Sequence, residues 1–294
     1  MSDSANTAND TAIHDLGYRR YEGPRIGAVG AWRALYWQGL RSMFGLGRSA
    51  KAKVVPVFVM LVTLLPTMAM LLAMSLTKGL SPIRYGVLIG GQLLMFVLFV
   101  AAQAPELFSR DQQHHVLPLL FTRAVSRSSY ASARMLALFT AMFIVAFLPL
   151  LITYVGEIGM AVNPVVTFQK MGDRIWPMLA IATLTAAMLS GIGAALAAWT
   201  PRRAFATASI IGAFLVAAAI ATGLDDLAGV EPRVAELVDP IRALRTLVLI
   251  LFDEKTRGLE LNPPAPVGVY IALELALGLV GAAITQWRIR TVTA

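Results

Sequence analysis

Cysteine is missing from this 294-residue chain, and charge is scarce: only 14% of its residues are Asp, Glu, Lys or Arg. With no cysteine there is no disulfide framework and no thiolate chemistry. A soluble domain carries about 25% charged residues, so the chain falls outside that class, and its 57% hydrophobic content excludes a disordered protein as well. Histidine is nearly missing too. His14, His114 and His115 form no H-E-x-x-H pattern, and adjacent helical side chains point about 100° apart, so the pair is not read as a chelate. None of the 23 glycines precedes a lysine, so no Gly-Lys-Ser/Thr turn cradles a phosphate. A Gly-x-Ser-x-Gly elbow is absent as well. The chain is therefore expected to be no enzyme and to bind no metal or cofactor itself.

What the sequence does have is long apolar runs. Six apolar stretches of about 20 residues or more, five of them uncharged, are long enough to cross a bilayer: Val54–Leu76, Tyr85–Ala104, Met135–Gly156, Trp176–Trp199, Ala204–Leu224 and Val267–Gln286. In lipid each must satisfy its own backbone, which predicts helices, and the period-two alternation of a barrel does not appear. The fold class is an all-α membrane protein with six transmembrane helices. Residues 1–30 read as a polar tail without the basic and apolar regions of a secretory signal, and residues 31–294 as one transmembrane domain.

The net charge of +8 also has a place in this scheme. Six spans put both termini on one side, which collects 16 of the 25 basic residues against nine on the other. By the excess of Lys and Arg on inner loops, both termini are expected in the cytoplasm of a plasma-membrane protein. The basic balance is then a topology signal, and no nucleic-acid partner is expected.

Three connections carry further signals. Ala31–Gly45 places Trp32, Leu35, Tyr36, Leu40 and Met43 on one helical face with Gln38 and Arg41 opposite. With Arg33 able to reach headgroups, it reads as an amphipathic helix on the inner leaflet or as an ordinary juxtamembrane anchor. The outer segment 225–266 contains Ile241–Phe252, too short to span, behind an Asp239-Pro240 helix start. A re-entrant helix or one lying on the surface both fit. The inner connection 105–134 has a polar start, an apolar patch (Val116, Leu117, Leu119, Leu120, Phe121) and a basic run; such a patch rimmed by charge reads as a docking surface.

Within the spans, Glu274 is the single charge, which marks either a translocation path or a locked packing contact. Gly191, Gly193 and Ala197 permit close helix approach, either within the chain or between copies. Pro56, Pro66 and Pro149 are positions for kinks.

Pro105-Glu106-Leu107, Ser109-Arg110-Asp111, Val116-Leu117 and Ser126-Arg127-x-x-Tyr130 follow one another in the inner connection. This ordered set resembles the permease subunits of type-2 ABC exporters, departing at His115, Ala124 and Arg134, where Gly, Pro and Lys are common. The stretch from His14 to Arg25 looks like the tail of actinobacterial members. The resemblance implies a separate ATP-binding subunit that holds ATP and Mg, and a second permease subunit, identical or different, in the same membrane lipid. It implies ATPase coupling through Glu106, Arg110, Asp111, His114, His115 and Val116. Trp32, Arg33, Tyr36 and Arg41 would belong to a connecting helix. A proton-coupled secondary transporter using Glu274 is the alternative, and a membrane-embedded enzyme or scaffold is a third reading that no catalytic constellation supports.

Overall fold

A computed structural model describes residues 23, 27–48, 50–77, 83–114, 116–122, 125–227, 231–254 and 265–291. Among the described residues every regular element is helical: α1 (Ala28–Met43), α2 (Ala50–Leu76), α3 (Tyr85–Leu107), α4 (Ser109–Gln113), α5 (Val116–Phe121) and α6 (Arg127–Gly159). After α7 (Pro164–Met171) and a 3-10 turn come α8 (Ile175–Trp199), α9 (Arg203–Asp225), α10 (Pro232–Val238), α11 (Pro240–Leu251) and α12 (Val267–Thr291). Six helices are long and apolar enough to cross a membrane: α2, α3 continued through α4, α6, α7 continued into α8, α9 and α12. Each of the six apolar stretches lies within one of them.

Local chemistry explains several boundaries. Ser126 caps α6, its hydroxyl accepting from the Ser129 amide at 3.1 Å, which satisfies one of the free donors of a helix start. Asp239 does the same for α11, accepting from the Ile241 amide at 2.9 Å, with Pro240 in the first turn. Thr200–Arg202 closes a tight turn between α8 and α9, where Pro201 and an extended Thr200 stop the helix. Gly45 and Gly47 sit at φ +68° and +77°, a backbone that side chains resist; they reverse the chain between α1 and α2.

The α3 and α8 helices form the middle of the bundle. Of the apolar window of α8, 67% is buried, against 22% for each of α2, α9 and α12. Those outer helices keep leucine and valine on the surface, including Val57, Leu61, Leu65 and Leu72 of α2, as a lipid-facing helix does. Helices α8 and α12 run in the same direction and meet at Gly191, Gly278 and Gly281, where an added Cβ would strike the other helix's backbone. Val100 of α3 fills the space over Gly193. These glycines are thus used for packing within the chain.

The polar ends separate cleanly. A first end gathers the α1–α2 turn, α4, the start of α6, the α8–α9 turn and the close of α12. There Trp199 packs on Trp287 at 5.9 Å. A second end gathers the starts of α3 and α8 with the close of α6. There the Tyr85 hydroxyl donates to Glu157 at 2.6 Å and the Val87 amide to Glu254 at 3.1 Å. Helix α11 packs among α3, α9 and α12, burying Ala243, Leu244, Leu247 and Val248. It is part of the bundle, not a helix lying apart on its surface.

The apolar patch of the inner connection is partly taken up by the fold: Leu117 is buried, while Leu120 and Phe121 are partly buried against the core, and the Val116 and Leu119 side chains lie outside the described ones. Phe121 meets Tyr130 edge-on at 6.0 Å. Burying such side chains removes apolar area from water without any partner protein. Gln38, read on the polar face of α1, is exposed there and accepts from Arg134 Nη1 at 2.5 Å. Trp32 and Tyr36 do face inward, as drawn, donating to Ser132 Oγ at 3.0 Å and Thr140 Oγ1 at 3.2 Å on α6.

Candidate functional site

Helix α3 ends in Pro105-Glu106-Leu107, and the chain bends at Phe108 before α4. That bend carries two carboxylates into the first end of the bundle on different sides. Glu106 is buried, its side chain 4% exposed, and three arginines converge on it. Arg48 of the α1–α2 turn reaches it at 2.6 Å, Arg203 at the start of α9 binds its other oxygen, and Arg110 of α4 stands at 3.5 Å. A carboxylate out of water is tolerated when cations and hydrogen bonds replace its hydration; here they come from three separate elements.

Asp111 forms the second hub. It accepts from Arg134 Nη2 at 2.9 Å and from the Tyr130 hydroxyl at 2.8 Å. The same hydroxyl lies 3.2 Å from the Leu107 carbonyl. Arg134 stacks over the Tyr130 ring at 5.5 Å and extends to Gln38, so α1, α4 and α6 are joined through one buried guanidinium. On its other face α4 closes the end of α8: Ser109 Oγ donates to the Ala197 carbonyl at 3.0 Å and Gln112 Nε2 to the Ala198 carbonyl at 2.9 Å. Both carbonyls lie in the last turn of α8, where a helix end leaves acceptor capacity free; that of Ala197 also accepts from the Thr200 amide at 3.4 Å.

A polar cleft of about 740 Å³ opens between α1 and α4, with Trp37, Arg41, Arg48, Arg110 and His114 on its walls and both carboxylates at its base. Of the residues assigned to ATPase coupling, Glu106, Arg110, Asp111 and His114 therefore surround one cleft. Glu106 and Asp111 turn inward, while His114 is exposed and Arg110 half-exposed. His115 and the Val116 side chain lie outside the described residues. In the assigned connecting helix, Trp32 and Tyr36 pack on α6, Arg41 faces the cleft, and Arg33 is exposed.

Toward the second end, carboxyl groups are held differently. Glu236 of α10 accepts from Thr246 Oγ1 of α11 and from the Tyr270 hydroxyl of α12, the latter at 2.8 Å. Glu274, one turn further along α12, is fully buried, and neither oxygen has a hydrogen-bond partner among the described residues. The charged group acting on it is another carboxylate, Asp239. Among the described residues no set of three His, Cys, Asp or Glu is placed to hold a metal ion.

The partners of these groups were the part the sequence reading missed. Arg48 and Arg203 were counted only as inner-side charge, and the Glu236–Thr246–Tyr270 group was not foreseen. A signal did exist for Glu106, an acid at the end of a long apolar run, a position that demands a donor somewhere in the fold. No known family, no curated protein and no solved structure matches the chain. The molecule is a multi-pass membrane protein, an architecture consistent with a transporter.

Proposed function

We propose that the chain is the membrane-spanning permease subunit of an ATP-driven ABC transporter, working as an exporter, with both termini in the cytoplasm of the plasma membrane. The observation that carries this reading is the wiring of α4. Its inward side chains, with Glu106, reach the α1–α2 turn, α6, α8 and α9, while Arg110 and His114 stay accessible beside the cleft. A rigid element tied to four others transmits a push on its open face to several spans at once, which is what a coupled, two-state device requires. The ATPase, with its ATP and Mg, is then a separate subunit seated on the first end. A second permease copy, identical or different, completes the path.

Affinity purification from native membranes tests this directly. A soluble subunit bearing a Gly-Lys-Ser/Thr phosphate turn is the expected companion. Repeated recovery without one, under conditions that preserve membrane complexes, contradicts the proposal.

One observation favours a second reading, the proton-coupled transporter: Glu274 is an intramembrane carboxyl group with no partner among the described residues. In that case Glu274→Gln abolishes pH-dependent transport. If the variant transports as the parent does, Glu274 is a packing residue.

A further inference from the structure

An apolar groove of about 430 Å³ lies between α1, α6, α8 and α12. Its floor is the seam where α8 and α12 meet closely at Ala187, Gly191 and Gly278. Phe139, Leu136 and Leu279 stand as its walls and Trp32 closes it near the first end. Its polar atoms are already engaged: Ser132 Oγ accepts from Trp32 Nε1 and lies 3.2 Å from the Ser129 carbonyl, and Ser190 Oγ lies 3.4 Å from the Ala187 carbonyl. Nothing in the groove asks for a polar ligand. Its volume falls within the roughly 300–1,000 Å³ of small-molecule sites, and its lining suits hydrocarbon.

The groove has a charged threshold. One turn beyond Ser132 and Ala282, toward the first end, Gln286 Nε2 donates to Ser128 Oγ at 2.5 Å. Next to that bond stand two guanidinium groups: Arg290 Nη2 donates to Ser128 Oγ at 3.2 Å, and Arg127 Nη1 to the Arg290 carbonyl at 2.7 Å. Among the described residues neither arginine has a carboxylate within ion-pair distance, in contrast to Arg48, Arg134 and Arg203. A dry groove that ends at two arginines without a carboxylate is complementary to one kind of molecule, an acyl chain bearing an anionic headgroup.

We infer that the seam between α6, α8 and α12 is a binding site for an anionic phospholipid, its acyl chain in the groove and its phosphate at Arg127 and Arg290. The occupant wedges α1 against α6 beside Trp32, so it bears on the same helix that carries Gln38 into the Arg134 network. The site is independent of how transport is energised.

The test is native mass spectrometry of the purified chain in detergent with added phosphatidylglycerol or phosphatidylcholine. Two arginines at the headgroup set a preference for phosphatidylglycerol of roughly thirtyfold. Arg127→Gln with Arg290→Gln is expected to erase that preference while zwitterionic lipid still binds. Arg127→Lys with Arg290→Lys, which keeps the charge, retains most of it. Ala282→Phe, which fills the groove, is expected to displace both lipids with the arginines intact. Equal binding of the two lipids by the parent chain overturns the site. So does a preference that survives the double glutamine variant, or a second copy of the chain cross-linked along the groove in place of lipid.

Discussion

At the first end of the bundle a buried and a partly buried carboxylate are met by four arginines, whereas toward the second end Glu236 is met by two hydroxyls and Glu274, among the described residues, by none. The same chemical group is thus used in two ways. Glu106 and Asp111 are charges whose removal strands cations on other elements, so they fix α1, α4, α6 and α9 relative to one another. Glu236 links α10, α11 and α12 through neutral donors, and Glu274 links nothing. The first end is wired by four arginines on two carboxylates, whereas the second, among the described residues, has two separate pairs with half-exposed arginines, Arg174–Glu157 at 3.5 Å and Arg242–Asp225, beside hydroxyls and apolar packing. A push on α4 therefore reaches more elements through charge than a push on α11, whose one ion pair among the described residues ties it to α9.

Substitutions sharpen this contrast when ranked by melting temperature in detergent. Asp111→Ala is expected to cost most, about 3–5 kcal/mol, because it leaves a guanidinium buried without its counter-charge. The Arg134 side chain is 7% exposed and its Nε already lacks a partner. Glu106→Ala should cost less, about 1–2 kcal/mol, although Glu106 has more ion pairs. Arg48, Arg110 and Arg203 are 24%, 50% and 54% exposed and can rehydrate. If Glu106→Ala proved the more damaging of the two, the number of pairs and not the burial of the cation would govern this end.

Further down the scale, Glu236→Gln should cost about 1 kcal/mol, since the amide oxygen still accepts one hydroxyl. Glu274→Gln should shift stability by under about 0.5 kcal/mol, because it removes neither a hydrogen bond nor an ion pair. A loss at Glu274 as large as that at Asp111 would break the contrast and reveal a cation bound there.

How much of this was legible in the sequence depends on range. The six long helices were, because a span of about 20 apolar residues is a local property. So was the start of α11, where Asp239 and Pro240 act within two residues of each other. The boundaries shifted where polar residues are helical: α6 begins at Arg127, two turns before its apolar run, because Ser126 caps it through the Ser129 amide and Ser128, Ser132 and Arg134 find partners on other elements. Helix α7 lies in a stretch read only as a connection, and α10 in the outer segment 225–266, where short helices were expected but only Ile241–Phe252 was located. At the candidate site the acids and the exposed His114 were picked out, but Gln38, Arg48 and Arg203 were not given their roles. Those depend on contacts across 96, 58 and 97 positions of the chain, which no local pattern encodes. The burial of Leu117 and the contact of Phe121 with Tyr130 on α6 were likewise not legible, because they too depend on the packing of the whole bundle.

The absence of cysteine supplies the most direct test of the account. A single reporter can be placed at exposed His114 on the first end, as His114→Cys, and another at exposed Asp226 beyond α9, as Asp226→Cys. Thiol-reactive cross-linking in native membranes should join position 114, and not position 226, to a soluble ATP-binding subunit, with the yield changing when ATP is added. Cross-linking of that subunit at position 226 alone, or at neither position while both cysteines label freely, would contradict it.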